Sequence, residues 1–600
     1  MRNSYIVLII IITLLSTGQT IAVEYGDVYL VGTTWWTAQT NSTVGKTIVR
    51  DENGRVHFVW TKGLDQELAQ RHIYFNWVMD GEGEVQAQLD ENGDIVDAAA
   101  RAGYAALDVI ERGEGFVTVA FYHITGSGMF SVDFAPGWGA FDNIALNAPD
   151  RMQPFVVKGS VGRNGRLFAI AGIHDMMSAY FPLVAWSATH DQNFNWRVNA
   201  PLSLERTTGL SHLVKSSAVS DRVALAWHHN IPGVPAPDDW EGSTAYTMNN
   251  DIYILLSPDG VQWNLNNPLN ITRTIPDDAQ REGWLAYGDT LRPFNDLDMI
   301  WVGDVLHIVF SVRGLWLDIE RQRVPPVERI TTKESLIWHW DSESDSLTLV
   351  ANGWYENAGN LGALYNNVAR PSLAVNAEGV LYCIFRQAIE NDRGNDDYCY
   401  GDILLTLSRD NGVTWTEAVN ITGTRAENPV ARDEYVDEQH PSLAERVDEN
   451  LHIHYLLAIE NQGLTGEARM IYQRVPVDSL PDLDPLSMPR QDFQYHNRPS
   501  ARVREAAGYG IPADYGFCLC GPNPFNGIPV LQFSLTRSKH TRLLITDQTG
   551  RIVDELLNAE LAAGTYRREW PDAANATSGI YWGVLQTSTG KSTVKMILMR

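Results

Sequence analysis

Apolar and polar residues alternate in short runs along most of the chain, and Gly, Asn and Asp residues separate one run from the next. A period of two places every second side chain on the same face of a β-strand, so each run predicts a strand with one buried face. Apolar runs with the period of an α-helix are scarce. The pattern therefore predicts an all-β protein made of many short strands and turns.

One strand pattern recurs along the chain: a polar or Gly-containing turn precedes an apolar run, which in most copies ends on an aromatic residue. The seven copies are residues 56–60, 117–121, 167–171, 223–227, 306–310, 381–385 and 451–455. Successive copies lie about 50 to 83 residues apart, which suits a four-stranded unit of roughly 40 to 50 residues with insertions of varying length. In two copies the preceding strand is repeated as well, as Arg-Pro-Ser-Leu-Ala at 370–374 and His-Pro-Ser-Leu-Ala at 440–444.

This rhythm predicts a β-propeller of about seven blades over residues 23–478, with six blades as the alternative. The last repeat contains three recognisable strands, which would leave one edge of its sheet unpaired. Residues 27–36 near the N-terminus are expected to supply the fourth strand and so close the ring.

A distinctive turn follows the third strand in three of the repeats. Residues 408–415 read Ser-Arg-Asp-Asn-Gly-Val-Thr-Trp, and weaker copies occupy residues 189–196 and 257–263. In such a turn the Asp accepts backbone hydrogen bonds, the Gly tolerates a positive φ, and the Trp packs between blades. The residues given these structural roles are Ser408, Asp410, Gly412, Trp415, Thr189, Asp191, Trp196, Ser257, Asp259 and Trp263. The turns resemble the Asp-boxes of BNR repeats in sialidase-like propellers, which implies that they fasten the perimeter, away from any active site.

The N-terminus has the features of an exported protein. Residues 1–22 combine Arg2, an apolar run and a small, polar stretch ending near Ala22, which is the arrangement of a cleavable signal peptide. The apolar run is about half the roughly 20 residues that a membrane-spanning helix needs, so no transmembrane segment is expected after cleavage. The formal net charge of −27 argues against nucleic acid as a partner.

The C-terminal part predicts a second domain at 523–600 behind a linker at 479–522, which is rich in Pro, Asp, Ser, Arg and Gly. Alternating runs and Gly turns in this domain predict a small immunoglobulin-like β-sandwich. Its ordered motifs, among them Asn-Pro-Phe-Asn at 523–526 and Ser-Gly-Ile-Tyr at 578–581, resemble those of type IX secretion (Por) sorting domains. The resemblance implies a protein of a Gram-negative bacterium that is secreted or held at the cell surface, with the type IX translocon as a partner. An ordinary accessory sandwich is the alternative.

Polar residues at the starts of the innermost strands are the candidates for ligand binding, because these starts converge at one mouth of the central channel. The repeat register places Arg370 and His440 at equivalent positions, Asp296 at the same level, and Lys46 nearby. Such a ring suits an anionic or sugar ligand. Aromatic and acidic insertions that could stack on sugar rings lie at residues 238–240, 284–287, 354–355 and 433–435. The alternative is that the ring only satisfies backbone groups inside the channel.

The likeness to sialidases also suggests a catalytic set. Sialidase chemistry needs an arginine cluster for the substrate carboxylate, an acid/base Asp, and a Tyr nucleophile beside a Glu. The candidates in this chain are Arg370, Arg292, Arg432, Asp296, Glu434 and Tyr435. The first-blade arginine motif of the family is absent, because no arginine occurs between Val23 and Val49. Neighbouring residues on a strand also point to opposite faces, which counts against a Glu434–Tyr435 pair.

Four cysteines in an exported chain suggest disulfide bonding. Cys383 and Cys399 flank an acidic excursion between two expected strands and are predicted to pair. Cys518 and Cys520 lie too close together for an unstrained mutual bridge, so their state is left open.

The same excursion is the one candidate for metal binding in the sequence. Asp392, Asp396 and Asp397 offer the oxygen ligands that calcium prefers, but they lack the spacing of an EF-hand. A solvated acidic loop is the favoured interpretation, and no cofactor is expected. Walker loops, zinc-protease helices and nucleophile-elbow motifs are also missing from the sequence.

Three functions are consistent with these patterns. The first is an exported propeller that binds a glycan or another extracellular ligand at the channel mouth. The second is an exo-glycosidase of the sialidase type. The third is a surface scaffold or adhesin without a catalytic site.

Overall fold

The computed structural model describes most of the chain in two compact units, Met1–Ser500 and Ala501–Arg600. The described residues are 23–40, 42–81, 84–87, 93–146, 153–174, 181–207, 209, 211–230, 250–272, 290–317, 328–353, 355, 361, 366–393, 398–424, 436–459, 465–486, 517–520, 525–535, 538–548, 551–562, 564–587 and 590–599. The predicted signal peptide at 1–22 lies outside them. None of the described helices has the length and apolar character that crossing a bilayer requires.

Seven sheets make up the described part of the first unit, and each is built on four antiparallel strands in meander order. After β1 (Asp27–Trp36), blade 1 holds β2 (Ile48–Arg50), β3 (Arg55–Gly63), β4 (Arg71–Gly81), β5 (Glu84–Ala87) and β6 (Asp94–Ile95), and blade 2 holds β7 (Ala102–Arg112), β8 (Gly115–Ile124), β9 (Ser127–Asp133) and β10 (Phe141–Leu146). Blade 3 holds β11 (Gln153–Val161), β12 (Leu167–His174), β13 (Phe181–His190), β14 (Trp196–Val198) and β15 (Leu202–Thr207), and blade 4 holds β16 (His212–Ser216), β17 (Val223–Asn230), β18 (Asn250–Ser257) and β19 (Leu269–Asn270). Blade 5 holds β20 (Thr290–Val302), β21 (Val305–Leu317), β22 (Glu328–Asp341) and β23 (Leu347–Gly353), and blade 6 holds β24 (Val368–Asn376), β25 (Leu381–Arg393), β26 (Cys399–Ser408) and β27 (Val419–Asn420). Blade 7 holds β28 (Asp437–Leu443), β30 (Asn450–Ala458) and β31 (Thr465–Pro476), while β29 (Arg446–Val447) pairs with β24.

The ring is closed by the N-terminal strand, as the sequence predicts. β1 pairs antiparallel with β31 as the outermost strand of blade 7, with Asp27 opposite Arg474 and Thr33 opposite Arg469. The seven matched apolar runs lie in the second strands of the seven sheets, β3, β8, β12, β17, β21, β25 and β30. The all-β propeller fold and the count of seven blades are therefore confirmed for the described residues.

Seven apolar cores hold the propeller together, and each lies between two consecutive blades. The core between blades 7 and 1, for example, joins Val31 and Tyr472 of blade 7 to Phe58 and Trp60 of blade 1, and all four side chains are buried. A single twisted sheet has two apolar faces and cannot bury either one alone. Packing between neighbours is therefore the main source of stability in this fold.

The Asp-box turns have the geometry that the sequence predicts. Asp410 accepts hydrogen bonds from the backbone N–H of Thr414 at 2.8 Å and from the Ser408 hydroxyl at 2.8 Å. Gly412 has a φ of 84°, and a Cβ there would lie 2.2 Å from the ring of His339 in blade 5. Trp415 is buried between blades 5 and 6. The turn thus fastens blade 6 to blade 5.

The weaker boxes form the same hairpins. Asp191 accepts backbone hydrogen bonds from Asn193 at 2.8 Å and Asn195 at 3.0 Å, and it follows Thr189 near the end of β13. Asp259, beside Ser257, accepts backbone hydrogen bonds at 2.8 Å. The tryptophans of these two boxes, Trp196 and Trp263, are partly buried against the cores of blades 2–3 and 3–4 respectively.

A repeated β-bulge, which the sequence analysis did not predict, occurs in five of the innermost strands. These strands shift register near their start, and in each a residue other than glycine adopts a left-handed conformation with a φ between 54° and 62°. The five residues are Tyr104, Val156, Asn295, Arg370 and His440. A bulge redirects the side chains beside it, and three of these five residues, Asn295, Arg370 and His440, are buried polar residues.

The predicted disulfide between Cys383 and Cys399 is wrong. The two thiols are buried and not bonded to each other. In the ladder between β25 and β26, Cys383 lies opposite Thr406, seven residues along β26 from Cys399. At about 3.3 Å per residue this separates the two cysteines by roughly 20 Å, far beyond bonding reach. The side chains of Cys518 and Cys520 lie outside the described part of the chain.

The second unit is a two-sheet sandwich. One sheet contains β32 (Phe517–Cys520), β33 (Val530–Leu535) and β36 (Gly564–Glu569), and the other contains β34 (Lys539–Asp547), β35 (Ile552–Leu561), β37 (Gly579–Thr587) and β38 (Gly590–Leu598). A short 3₁₀ turn, Pro571–Asn575, follows β36. Trp570 and Phe533 lie buried in the core between the sheets.

The ends of the predicted linker, residues 479–522, take part in the two units. A 3₁₀ turn at Val477–Ser479 ends the last strand of the propeller. Leu480 and Leu483 then pack on the core between blades 6 and 7, and strand β32 belongs to the sandwich. Residues 487–516 of the predicted linker are outside the described part of the chain.

We predict that Gly32→Ala weakens the closure of the ring. A Cβ at Gly32 in β1 would lie 2.4 Å from Cζ2 of Trp60, which is 1% exposed and belongs to blade 1. Overpacking of this kind typically costs about 1–3 kcal/mol. Scanning calorimetry should show a lower unfolding temperature for the propeller. Gly527→Ala is the control, because a Cβ there meets no atom within 4 Å, and equal temperatures for both variants would contradict the prediction.

Candidate functional site

The two ends of the propeller differ in the length of their connections. At one end, here called the mouth end, the first strand of each blade starts and the second strand finishes. There β17 finishes at Asn230 before β18 starts at Asn250, and β21 finishes at Leu317 before β22 starts at Glu328; the residues between them lie outside the described part of the chain. The opposite end, here called the turn end, carries tight turns such as 376–379 and all three Asp-boxes. Binding sites usually lie where the connections between strands are long, which favours the mouth end.

Arg370 and Asp296 meet at the mouth end, as the register predicts. Arg370 Nη1 lies 3.3 Å from Asp296 Oδ1, and the Arg370 backbone N–H donates to Asp296 Oδ2 at 3.0 Å. The guanidinium also donates to the backbone carbonyl of Ser42. Both charged side chains are buried, with residue exposures of 1% and 2%. The Arg370–Asp296 pair therefore binds a segment of the protein itself, the one that contains Ser42.

Lys46 lies deeper in the channel and has other partners. Its Nζ donates to Asp298 Oδ2 at 2.7 Å, to the Ser372 hydroxyl at 3.0 Å and to the Leu373 carbonyl at 2.8 Å. Lys46 is thus joined to blades 5 and 6 and not to Asp296. This network ties the start of blade 1 to the opposite side of the channel.

His440, the fourth member of the predicted ring, is buried beside these groups. Burial first, and then the positive charge of Arg370, hold its pKa well below the ordinary value for histidine, so its imidazole is neutral. All four predicted ligand contacts are thus buried, with exposures of 8% or less. Their role toward a ligand stays a prediction.

The connection from β1 to β2 seals the centre of the mouth end. Its described residues between Thr37 and Lys46 are almost all buried. Lys158 Nζ donates to the Val44 carbonyl of this segment at 2.7 Å, and Arg370 holds Ser42. Below the segment the channel is lined by charged side chains, namely Lys46, Asp108, Lys158, Lys215, Asp298 and Glu445. The axis of the propeller is therefore filled by internal ion pairs such as Lys46–Asp298 and Lys215–Glu445.

The candidate Arg292 and a further buried arginine, Arg313, are also engaged by protein groups. Arg292 Nη1 lies 4.0 Å from Asp251 Oδ1, and both side chains are fully buried. Arg313 stacks on Phe294 with its Cζ 3.4 Å from the ring centroid, and burial lowers the pKa of Arg313 to about 9 against the opposing effect of Asp296. Arg370, Arg292 and Arg313 are therefore each held by groups of the protein. Arg432, Glu434 and Tyr435 lie outside the described residues.

Two buried acidic residues that the sequence analysis did not identify, Asp402 and Glu438, lie close together between blades 6 and 7. The Thr424 hydroxyl is within 2.8 Å of Glu438 Oε1 and within 3.1 Å of Asp402 Oδ1. Burial, followed by the charge of Asp402, raises the pKa of Glu438 well above its ordinary value. Glu438 is 0% exposed, and it is therefore not available to a ligand in this structure.

The predicted insertions and the metal candidates are described only in part. The Tyr355 hydroxyl donates a hydrogen bond to the Ala388 carbonyl of blade 6 at 2.7 Å. Asp392 is 2% exposed, which does not fit a solvated acidic loop at that residue. The remaining candidates lie outside the described part of the chain: Asp396, Asp397, Trp354 and residues 238–240, 284–287 and 433–435.

A partly exposed cluster remains at the mouth end, between blades 3 and 4. Glu205 of β15 accepts hydrogen bonds from Trp227 Nε1 at 2.6 Å and contacts His229 Nδ1 at 2.9 Å. The His229 ring stacks on Tyr253 with centroids 3.9 Å apart and planes 11° from parallel. The side chains of His229 and Glu205 are each 21% exposed. We call Glu205, Trp227, His229 and Tyr253 the cleft cluster.

The Tyr253 side chain of the cleft cluster is uncharged at neutral pH. Burial, together with the charge of Asp251, raises the pKa of Tyr253, so the phenol keeps its proton. Glu205 contacts Nδ1 of His229, which leaves Nε2 as the second polar atom of that ring. The cluster offers a flat ring stack beside a carboxylate, a combination of apolar and polar groups suited to a sugar.

Comparisons with known proteins bear on the fold. No protein-family model matches the chain, and no curated protein matches it significantly. A polysaccharide lyase structure is 12% identical over 78% of this chain and 94% of its own, with a TM-score of 0.40. An alpha-L-arabinofuranosidase of Fusarium graminearum in complex with arabinobiose is 9% identical over 62% and 92%, with a TM-score of 0.32. A sialidase of Trypanosoma rangeli is 10% identical over 94% and 84%, with a TM-score of 0.31. At such low identities and TM-scores, these likenesses carry nothing about the activity of this chain.

We predict that Lys158→Met flattens the pH dependence of stability in mildly alkaline solution. Burial, followed by the charge of Arg370, lowers the pKa of Lys158 to about 7, against 10.5 ordinarily. Between these values the unfolded lysine binds a proton that the folded one has lost, so the free energy of unfolding rises with pH. Below about pH 7 both states are protonated and the slope vanishes.

Chemical denaturation at several pH values between 7 and 10 measures this slope. Lys158→Met should show a shallower rise than the unaltered protein. Lys591→Met, at an exposed position, should keep the original slope. Identical slopes for the Lys158 variant and the unaltered protein would show that Lys158 is charged in the folded state.

Proposed function

We propose that this protein is an exported propeller that binds a carbohydrate at the cleft cluster, on the mouth end between blades 3 and 4. The observation that carries the proposal is the partly exposed stack of His229 on Tyr253, fixed by Glu205. The proposal keeps the ligand class expected from the sequence and moves its site outward from the channel axis.

The connection between β1 and β2 covers the channel axis at the mouth end. A ligand site at the cleft cluster is therefore favoured over a site at the predicted ring. Arg370, Asp296, Lys46 and His440 are at most 8% exposed, and the first three bind protein groups. A ligand at the axis would first have to displace the connection between β1 and β2. The cleft cluster requires no such displacement for its partly exposed side chains.

The side chains of the cluster suit a neutral sugar. Aromatic rings stack on the apolar face of a pyranose, while carboxylate and imidazole groups bind its hydroxyls. Glu205 fixes both the Trp227 indole and the His229 imidazole, so the platform is formed before a ligand arrives. Preorganisation of this kind lowers the entropy that binding would cost.

The sialidase-type exo-glycosidase is the second candidate, and the described geometry gives it less support. Its chemistry needs three arginines around one substrate carboxylate. Arg370 and Arg292 are instead buried against Asp296 and Asp251. A scaffold or adhesin without a ligand site is the third candidate, and the binding experiment below separates it from the first.

We predict that Tyr253→Ala abolishes most carbohydrate binding. Loss of the stacking surface should weaken affinity at least tenfold, or about 1.4 kcal/mol. The full chain is screened on a glycan array, and the strongest ligand is then titrated calorimetrically against the variant. No binding to any glycan by the unaltered protein would favour the scaffold.

The matched control is Phe194→Ala. Phe194 stacks on His190 with centroids 4.3 Å apart and planes 9° from parallel, but this pair lies in an Asp-box at the turn end. Affinity for the glycan should stay unchanged in this variant. Equal losses of glycan affinity in Phe194→Ala and Tyr253→Ala would show that the cleft cluster is not the binding site.

Export through the type IX pathway is the second part of the proposal. Support comes from the signal-peptide pattern at 1–22 and from the ordered motifs within 523–600. The compact fold of Ala501–Arg600 as a separate sandwich is consistent with a domain that a translocon could recognise. Secretion or display at the cell surface would give the propeller access to extracellular glycans.

We predict that removal of residues 517–600 stops export across the outer membrane. In a Gram-negative host with a type IX system, the full chain should reach the medium or cell surface, whereas the truncated chain should remain in the periplasm. Immunoblots of the cell fractions measure this. A chain without residues 1–22 should stay in the cytoplasm, and efficient export of the truncated chain would contradict the sorting role.

A further inference from the structure

Three metal-ligating side chains converge at the turn end, across the seam where blade 7 meets blade 1. Asp80 is the second-last residue of β4 in blade 1. Asp448 lies in the turn before β30 of blade 7, and His452 lies in β30 itself. One ligand atom from each lies within 4.8 Å of the others. His452 Nε2 is 3.4 Å from Asp448 Oδ1 and 3.6 Å from Asp80 Oδ2.

The Nε2 atom of His452 is aimed into this cluster without a hydrogen-bond partner. The His452 side chain is fully buried, and Nε2 makes no hydrogen bond although it faces two carboxylates. Direct hydrogen bonds between nitrogen and a carboxylate are normally 2.7 to 2.9 Å long. The two observed separations are longer, so the atoms surround a small gap instead of closing it.

The size of the gap fits a tetrahedral zinc ion. Zinc lies about 2.1 Å from histidine nitrogen and carboxylate oxygen, which places neighbouring tetrahedral ligands about 3.4 Å apart. The distances from His452 Nε2 to the two carboxylate oxygens are 3.4 Å and 3.6 Å. One histidine and two carboxylates are also a donor set that zinc accepts, with water as the fourth ligand.

The surrounding residues hold these ligands in position from outside. Tyr472 lies with its hydroxyl 2.7 Å from His452 Nδ1, which fixes the ring and leaves Nε2 for the ion. Arg50 contacts Asp448 through Oδ2 at 2.8 Å, and Arg474 contacts Asp80 through Oδ1 at 3.3 Å. These two contacts are made to the carboxylate oxygens that do not face His452 most closely, while Arg50 Nε lies farther off, 4.0 Å from Asp80 Oδ2.

Blade 1 contains an internal comparison that lacks the third ligand. His57 Nε2 lies 3.1 Å from Asp51 Oδ2, and His57, like His452, is the second residue of the matched apolar run of its blade. At this copy the next blade contributes the Thr118 hydroxyl, which lies 2.8 Å from His57 Nδ1. In blade 7 the Tyr472 hydroxyl occupies the Nδ1 side of His452 instead, and Asp80 adds a second carboxylate that faces Nε2.

We propose that Asp80, Asp448 and His452 bind a zinc ion that clamps blade 7 to blade 1 beside the ring closure. The ion would join Asp80, from the first blade in the sequence, to Asp448 and His452, from the last blade. Because only the folded ring brings these ligands together, zinc would stabilise the closed propeller by mass action.

Zinc binding is measured on the full chain without a polyhistidine tag, after treatment with a chelator and dialysis. Titration with zinc chloride against a competing indicator should give one more equivalent in the unaltered protein than in His452→Gln. Zinc should also raise the unfolding temperature of the unaltered protein. Cobalt should give the intense visible absorption typical of four-coordinate sites.

Two further variants make the result specific. Asp80→Asn should weaken zinc affinity at least tenfold, and it serves as the test if His452→Gln does not fold. His57→Gln should retain all the zinc of the unaltered protein. Equal zinc content in the unaltered protein, His452→Gln and Asp80→Asn would overturn the proposal, as would the absence of bound zinc in the unaltered protein.

Discussion

Each blade of this protein has two apolar faces, and each face can be buried only by a neighbouring blade. That constraint explains why the apolar cores lie between sheets and not within one central mass. It also explains why the ring has to close. Without β1 on the outer edge of blade 7, β31 would expose both an unpaired edge and the apolar side chains that pack on blade 1.

Closure of the ring determines what the channel can hold. The segment that leads from β1 to β2 must travel from the outside of blade 7 to the innermost strand of blade 1, and it does so across the mouth end. Its carbonyl groups then need partners away from water, and Arg370 and Lys158 supply them. The basic side chains Arg370 and Lys158 at the axis are therefore explained by the path of the backbone, and surface for a ligand remains farther out.

Much of the fold could be predicted from the sequence because it depends on local patterns. Alternation within 56–60 and its counterparts predicts the second strands, and Asp410 with Gly412 predicts a hairpin. The burial of Arg370 could not be predicted, since it depends on Ser42, which is 328 residues away. The left-handed conformation of His440 could not be predicted either, because glycine is the residue that indicates a positive φ in a sequence. The cleft cluster combines Glu205 from one blade with Tyr253 from the next, a pairing that no local spacing reveals.

The pairing of Asp27 with Arg474 has a kinetic consequence. A ribosome releases β1 before any other strand of the propeller, yet β1 finds its partner only after β31 has been made. Folding from the N-terminus onward can therefore build blades one after another but cannot finish the ring. The contact that completes the fold is also among the most distant in sequence, and such contacts form slowly. Until then the first strand stays exposed to wrong partners, so this chain should depend on protection from aggregation during synthesis more than a protein of the same size with local contacts.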